Sequence, residues 1–235
     1  MMKNFTTMIL AAGFGSRMKD LTEKIPKPLL KIKNTTLLSN TINFFENIGC
    51  NRFILNTHYL YKELNNYINS MHSDKDIILI HEPEILDTGG GIKNALKFFN
   101  NKNFLVTNCD IFWRKNNILD IKDFLFDLQK VKNCQLLLAR KSKTYGVNKN
   151  SGDFVLENNS LRRWKKNDQI NFYSGLQVLN PSVFNNIYKS KFSINEIWDN
   201  LIKKKELSGV IMQSDLFHIG DINTYLDITK NLPLD

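Results

Sequence analysis

Cysteine is scarce: Cys50, Cys109 and Cys134 are the only three in 235 residues. They stand far apart and form no CxxC pair, which argues against a disulfide framework and a cysteine zinc site. Buried free thiols are expected instead. Histidine is nearly as scarce, and His58, His72, His81 and His218 show no metal-ligand spacing. His81-Glu82-Pro83-Glu84-Ile85 matches only the first two letters of HExxH, and Pro83 opposes a helix interior. No apolar run reaches the roughly 18 residues of a membrane span, so no membrane partner is expected. The apolar start, MMKNFTTMILAAG, continues into Gly-Phe-Gly-Ser-Arg rather than a small-residue cleavage site. It reads as a first strand, and the expected compartment is the cytoplasm. GxSxG and a Ser-His-Asp order are also missing.

Acidic residues are fewer than basic ones, 23 against 32, for a formal net charge of +9. Such an excess suits nucleic acid or small anions such as phosphates. The lysines are dispersed, and no zinc-finger, RNP1 or basic-arm pattern occurs, which argues against a nucleic-acid partner.

What the sequence does have is an alternation of strand-like and helix-like segments. Strands are expected at Phe5–Leu10, Arg52–Asn56, Asp76–His81, Asn103–Thr107 and Gln135–Ala139. Helices are expected at Thr36–Ile48, Leu60–Met71, Gly91–Phe99 and Ile118–Lys130. Short links between them imply a mostly parallel sheet with helices on both faces. Beyond about residue 140 the texture changes. Gly152–Leu156 and Ser160–Lys165 read as a hairpin and Phe172–Leu179 as a strand. A helix at Ile194–Lys204, strands at Gly209–Met212 and Leu216–Ile219, and a last helix from Ile222 follow. The expected fold is a Rossmann-like three-layer α/β domain spanning 1–235. Its mixed, mostly parallel central sheet carries a small antiparallel lobe in about 141–235.

In such a sheet, ligands bind beyond the carboxyl ends of the strands. After the first strand comes LAAGFGSRM, Leu10 to Met18. Its small residues let backbone amides approach phosphate oxygens, and Arg17 stands at its end. It is no Rossmann fingerprint, because Met18 holds the third glycine's place, and Asn56-Thr57-His58 offers no acidic residue after the second strand. It is no P-loop either. Next comes Ile25-Pro26-Lys27-Pro28-Leu29-Leu30, where two prolines restrict where Lys27 points.

LAAGFGSRM followed by PKPLL resembles the sugar-1-phosphate nucleotidyltransferase superfamily, whose pattern is close to LAAGxGxRM…PKP. The resemblance covers nearly the whole chain. It is closest to N-acetylmuramate-1-phosphate uridylyltransferases, with mannose-1-phosphate guanylyltransferases next. It implies an enzyme joining an NTP and a sugar-1-phosphate into an NDP-sugar and pyrophosphate, with Mg²⁺, as a monomer or small homo-oligomer. Carried over residue by residue, the catalytic positions are Arg17, Lys27 and Asp110. The nucleotide positions are Leu10, Ala11, Ala12, Gly13, Gly15, Ser16, Arg17, Thr88, Gly89, Gly90 and Asn108. The sugar positions are Gly146, Asp153, Ser174 and Gly175. Asp110, in Asn108-Cys109-Asp110, is the implied metal ligand. Where the family carries a second metal-binding Asp, this sequence has His218, with Asp221 three residues on; either is a candidate for that position.

EILDTGGGI, Glu84 to Ile92, has the Asp-Thr-Gly of an aspartic protease. Such enzymes need two carboxylates sharing a proton, and one triplet occurs here. The three glycines are expected as a backbone surface against a base or ribose.

Overall fold

A computed structural model of the chain describes residues 4–231. The first half runs β1 (Phe5–Leu10), β2 (Lys31–Ile32), β3 (Thr35–Thr36), α1 (Leu37–Asn47), β4 (Cys50–Thr57), α2 (Tyr61–Met71), β5 (Ile77–His81), α3 (Asp87–Ala95), β6 (Phe104–Asn108) and α4 (Ile118–Leu125). The second half runs β7 (Cys134–Arg140), β8 (Thr144–Tyr145), β9 (Phe154–Glu157), β10 (Ser160–Arg163), β11 (Asn171–Leu179), α5 (Ile194–Lys203), β12 (Leu207–Ile211), β13 (Leu216–Phe217) and α6 (Ile222–Asn231).

Among the described residues the main sheet has nine strands in the order β5-β4-β1-β6-β11-β7-β12-β10-β9. β5, β4, β1 and β6 are parallel neighbours. β11 runs antiparallel to both β6 and β7 and lies between them. From β11 the sheet passes through β7, β12, β10 and β9 and meets β11 again at Asn171 and Phe154. The expected mixed α/β sheet with an antiparallel lobe is present, and that lobe curls back onto the strand it starts from.

Strand alternation builds the layers. Met8 and Ile9 are adjacent, fully buried and on opposite faces. Ile9 packs in a cluster with Leu38 and Phe45 of α1, Leu64 of α2 and Ile121 and Phe124 of α4. Met8 packs with Ile92 of α3 and Ile197 and Trp198 of α5. Thr36 caps α1 by accepting the Ser39 N–H at 3.0 Å. The β9–β10 turn uses Asn158 and Asn159 at φ 48° and 64°, a left-handed pair suited to a two-residue hairpin. All three cysteines are free and buried, as expected.

Two expectations differ in their limits by more than two residues. α4 stops at Leu125, and a separate short turn at Leu128–Lys130 follows. α3 starts at Asp87, not Gly91, so the glycine triplet lies inside a helix. Glycine is a poor helix former, and here tertiary contacts override that preference.

Candidate active site

A cavity of about 350 Å³ opens beyond the carboxyl ends of β1, β4, β5 and β6. The loop after β1 forms one wall. Gly15 takes φ +67°, and a Cβ there would stand 3.0 Å from Lys27 Cβ. The glycine therefore lets the loop and the Pro-Lys-Pro segment touch. Thr22 Oγ1 donates to the Gly15 carbonyl at 3.0 Å and fixes the turn that presents Arg17, which is exposed on the cavity wall. Leu10, Ala11, Ala12, Gly13 and Ser16 line the same wall.

Lys27 crosses to the end of β6, where Nζ lies 2.8 Å from Asp110 Oδ2. Both side chains are largely buried, 13% and 20% exposed, so solvent screens the pair weakly. Burial pushes the Asp110 carboxyl up, but the Lys27 charge and then His218 outweigh it. The carboxyl is held well below the usual carboxylate range. Asp110 is an anion here at any ordinary pH. Its other oxygen, Oδ1, is buried and has no hydrogen-bond partner.

His218 reaches Asp110 from the far strand, with Nε2 3.4 Å from Oδ2. Backbone pairing places it there: the Ile219 N–H donates to the Asp110 carbonyl at 2.8 Å. Asp221, next to the cavity-lining Gly220 and within reach of the Arg17 charge, has its own partner. Its Oδ1 accepts the Thr224 N–H at 2.8 Å and caps α6, and that hydrogen bond is the main cause of its lowered pKa. It does not line the cavity.

The structure adds one residue that the motifs do not mark, Asn56, and joins it to Glu82, which opens the expected nucleotide stretch after the third strand. Asn56, at the end of β4, accepts the Ala11 N–H on Oδ1 at 3.1 Å and donates from Nδ2 to Glu82 Oε1 at 2.9 Å. Glu82, after β5, is 1% exposed, and its Oε2 accepts the Leu86 N–H at 3.1 Å. Ala11 thus spends its amide on Asn56, and Met18 spends its own on the Gly15 carbonyl at 2.8 Å. Both residues line the cavity. The one sequence signal of Asn56 is position: it stands at the carboxyl end of a parallel strand.

Of the Thr88-Gly89-Gly90-Gly91 run, Thr88 lines the cavity, as does Asp87. Gly89 and Gly90 do not. A Cβ on Gly89 would meet the Phe192 ring at 2.4 Å, and one on Gly90 the Ser190 carbonyl oxygen at 2.2 Å. The Gly90 N–H donates to the Phe192 carbonyl and the Phe192 N–H to the Leu86 carbonyl, at 3.0 and 3.1 Å. Thr88 Oγ1 accepts the Ile194 N–H at 3.0 Å. Gly91 backs onto Asn56 and Glu82, where a Cβ would lie 2.6 Å from Nδ2 and 2.8 Å from Oε1. Gly89 and Gly90 also form a seat for the segment that leads into α5. Asp87, at φ 61°, accepts the Thr88 N–H at 2.5 Å and opens the helix.

The four positions expected at the sugar lie outside this cavity. Gly146, at φ +85°, passes so close to the His218 carbonyl that a Cβ would stand 1.9 Å from it. Asp153 braces β11 by accepting the Tyr173 N–H at 2.9 Å and pairs with Lys149. Ser174 and Gly175 fall where the β11–β7 register shifts, beside Asn108 and Ile111. Ser174 Oγ is buried without a partner. Asn108 lines the cavity.

The sequence pattern of the nucleotidyl transferase family matches residues 6–233. The chain belongs to this family. This nucleotidyl transferase is 26% identical over 222 residues to an N-acetylmuramate alpha-1-phosphate uridylyltransferase of Caulobacter vibrioides, covering 91% of each chain. It is 30% identical over 232 residues to a D-glycero-alpha-D-manno-heptose 1-phosphate guanylyltransferase of Campylobacter jejuni, covering 95% of this chain and 98% of that one. Its fold is similar to that of HddC from Yersinia pseudotuberculosis complexed with GMP-PN, with a TM-score of 0.77 at 24% identity over 96% and 98% of the two chains. The nucleotidyl transferase is an enzyme of the sugar-1-phosphate nucleotidyltransferase superfamily. Among its described residues no helix is long and apolar enough to cross a membrane.

Proposed function

We propose that this enzyme joins UTP and N-acetylmuramate-1-phosphate, or a related hexose-1-phosphate, into a UDP-sugar in the cytoplasm. The observation that carries nucleotidyl transfer is the Lys27–Asp110 pair, held at 2.8 Å in the cavity that Arg17 and the loop after β1 also line. A sugar-phosphate oxygen attacks the α-phosphorus, the bond to the β-phosphate oxygen breaks, and pyrophosphate leaves. The attacking oxygen is already ionised, so no protein base is needed. Placement and charge neutralisation do the work. Amides of Ala12 to Ser16 hold phosphate oxygens, Arg17 grips the β- and γ-phosphates, and Lys27 bridges the α-phosphate and the sugar phosphate.

Mg²⁺ is bound elsewhere by one or two carboxylates together with substrate phosphates. The residues here fit that requirement: Asp110 is anionic and keeps one buried oxygen without a partner. Asp110 would hold the ion, which supplies neutralisation of phosphate charge. Lys27, Arg17 and the loop amides orient the two anions against each other and exclude water from between them.

A second reading has GTP with a heptose- or mannose-1-phosphate. The 30% identity with the Campylobacter jejuni guanylyltransferase favours it. Pyrophosphate release decides between them, with UTP, GTP, CTP and dTTP each offered against a panel of sugar-1-phosphates that includes N-acetylmuramate-1-phosphate. Turnover is expected with UTP and N-acetylmuramate-1-phosphate. Turnover only with GTP selects the second reading. NTP binding without release from any pair would overturn catalysis and make the protein a nucleotide-sugar sensor.

A further inference from the structure

The apex of the loop after β1 is gripped through a side chain. Gly13 stands clear, and a Cβ there would meet nothing within 4 Å. The next residue, Phe14, lays its ring against two aromatic residues that follow β4. Its centroid is 5.2 Å from that of His58, edge to face at 87°, and 5.9 Å from that of Tyr59, tilted at 54°. Both separations fall in the range of attractive aromatic pairs. Phe14 is 50% exposed, so its ring serves this contact and not the core. Both partners are themselves fixed. His58 Nδ1 donates to the Glu82 carbonyl at 2.7 Å. The Tyr59 hydroxyl donates to the Glu23 carbonyl at 3.0 Å, at the end of the turn Ser16–Thr22 that carries Arg17. Asn56, two residues before His58, holds the Ala11 amide. Residues 56–59 therefore hold the loop at its start, at its apex and at the turn beyond it.

We infer that Phe14 is a positioning residue for the NTP, clamped by His58 and Tyr59 so that the phosphate-binding loop is in place before the nucleotide arrives. The inference rests on the nucleotidyl-transfer reading above. Glycines leave a loop many conformations, and a ligand that must order the loop loses affinity by the entropy of that ordering. A contact that orders the loop beforehand removes the loss. Gly13 and Gly15, on either side of Phe14, line the cavity, and Phe14 itself does not. It acts through their backbone and touches no substrate.

The test is calorimetric binding on the full chain with two probes, UTP and inorganic tripolyphosphate, which has neither base nor ribose. Should the substrate screen select GTP, it replaces UTP. Phe14→Ser is expected to weaken both probes by about tenfold, the size of one strong aromatic contact. Phe14→Tyr, which keeps the ring, should bind as the wild type does. Tyr59→Leu should show a similar loss, and the double variant little more than either single one, because one clamp is lost once. KM for the NTP should rise in Phe14→Ser while kcat changes less than about twofold. Its Tm should stay near that of the wild type, since the residue is exposed. Unchanged binding of both probes would overturn the inference, as would a loss that Phe14→Tyr does not repair. A loss for UTP alone would also overturn it, by placing Phe14 on the base. Weaker tripolyphosphate binding in Phe14→Ser with no pyrophosphate release from any substrate pair sustains the clamp and sinks the reaction. Pyrophosphate release with equal affinities does the reverse.

Discussion

Lys27 Nζ and Asp110 Oδ2 meet at 2.8 Å across 83 residues of chain, and each is the charge that keeps the other from being buried alone. The pairing joins the Pro-Lys-Pro segment to the end of β6, the two places where substrate phosphates must meet.

Lys27→Ala and Asp110→Asn are each expected to lower kcat by roughly 10²-fold or more, the usual effect of removing one electrostatic stabiliser. Arg17→Ala should do the same. Steady-state pyrophosphate release checks all three, and near-normal turnover in one removes that residue from its role.

Gly91→Ala is expected to destabilise the fold by about 1–3 kcal/mol, because its Cβ would press on both Asn56 and Glu82. KM for the NTP should rise as well, since Asn56 holds the Ala11 amide. Gly13 is the control: a Cβ there meets nothing within 4 Å. Thermal melts of Gly91→Ala and Gly13→Ala should therefore diverge. Equal behaviour would mean that the Asn56–Glu82 link does not shape the loop.

Gly90→Ala distinguishes a structural joint from a nucleotide surface. Its Cβ would collide with the Ser190 carbonyl, which is backbone and yields little. The expected outcome is a lower Tm with kcat and KM kept in the folded fraction. A normal Tm with a large rise in KM for the NTP would return Gly90 to the nucleotide.

His72 carries the expected pH dependence of stability. It is 4% exposed, with Nε2 2.7 Å from Ser39 Oγ. Burial, followed by Lys75, lowers its pKa below the ordinary 6.5. The unfolded chain therefore binds the proton first as pH falls. Stability is full above about pH 6.5 and is lost as pH drops through and below that value. His72→Gln, which does not titrate, should lose less Tm than the wild type between about pH 8 and pH 5.5. Equal losses would show that another group sets the acid limit.

Much of this was readable from residues alone. Buried strands such as Phe104–Asn108 are apolar and bounded, and LAAGFGSRM with PKPLL places Arg17 and Lys27 on one wall. Asp110 was legible because it follows a strand end. The glycine run was not, because Gly89 and Gly90 are explained by Phe192 and Ser190, about 100 residues away, and no local pattern encodes that contact. Asn56 was hidden for a different reason: its role is to hold a backbone amide and Glu82, and it belongs to no motif. The sugar side was marked by glycines whose first constraint here is packing, against the His218 carbonyl for Gly146 and Ile111 for Gly175.

β11 also limits how the enzyme can move. It is hydrogen-bonded to β6 on one side and β7 on the other, so both halves of the chain own it. A hinge between those halves would have to break a ladder in the middle of the sheet. Closing one lobe over the other therefore has to bend that shared ladder as a whole, whereas the loop after β1, the Pro-Lys-Pro turn and the stretch that carries His218 can shift without touching it.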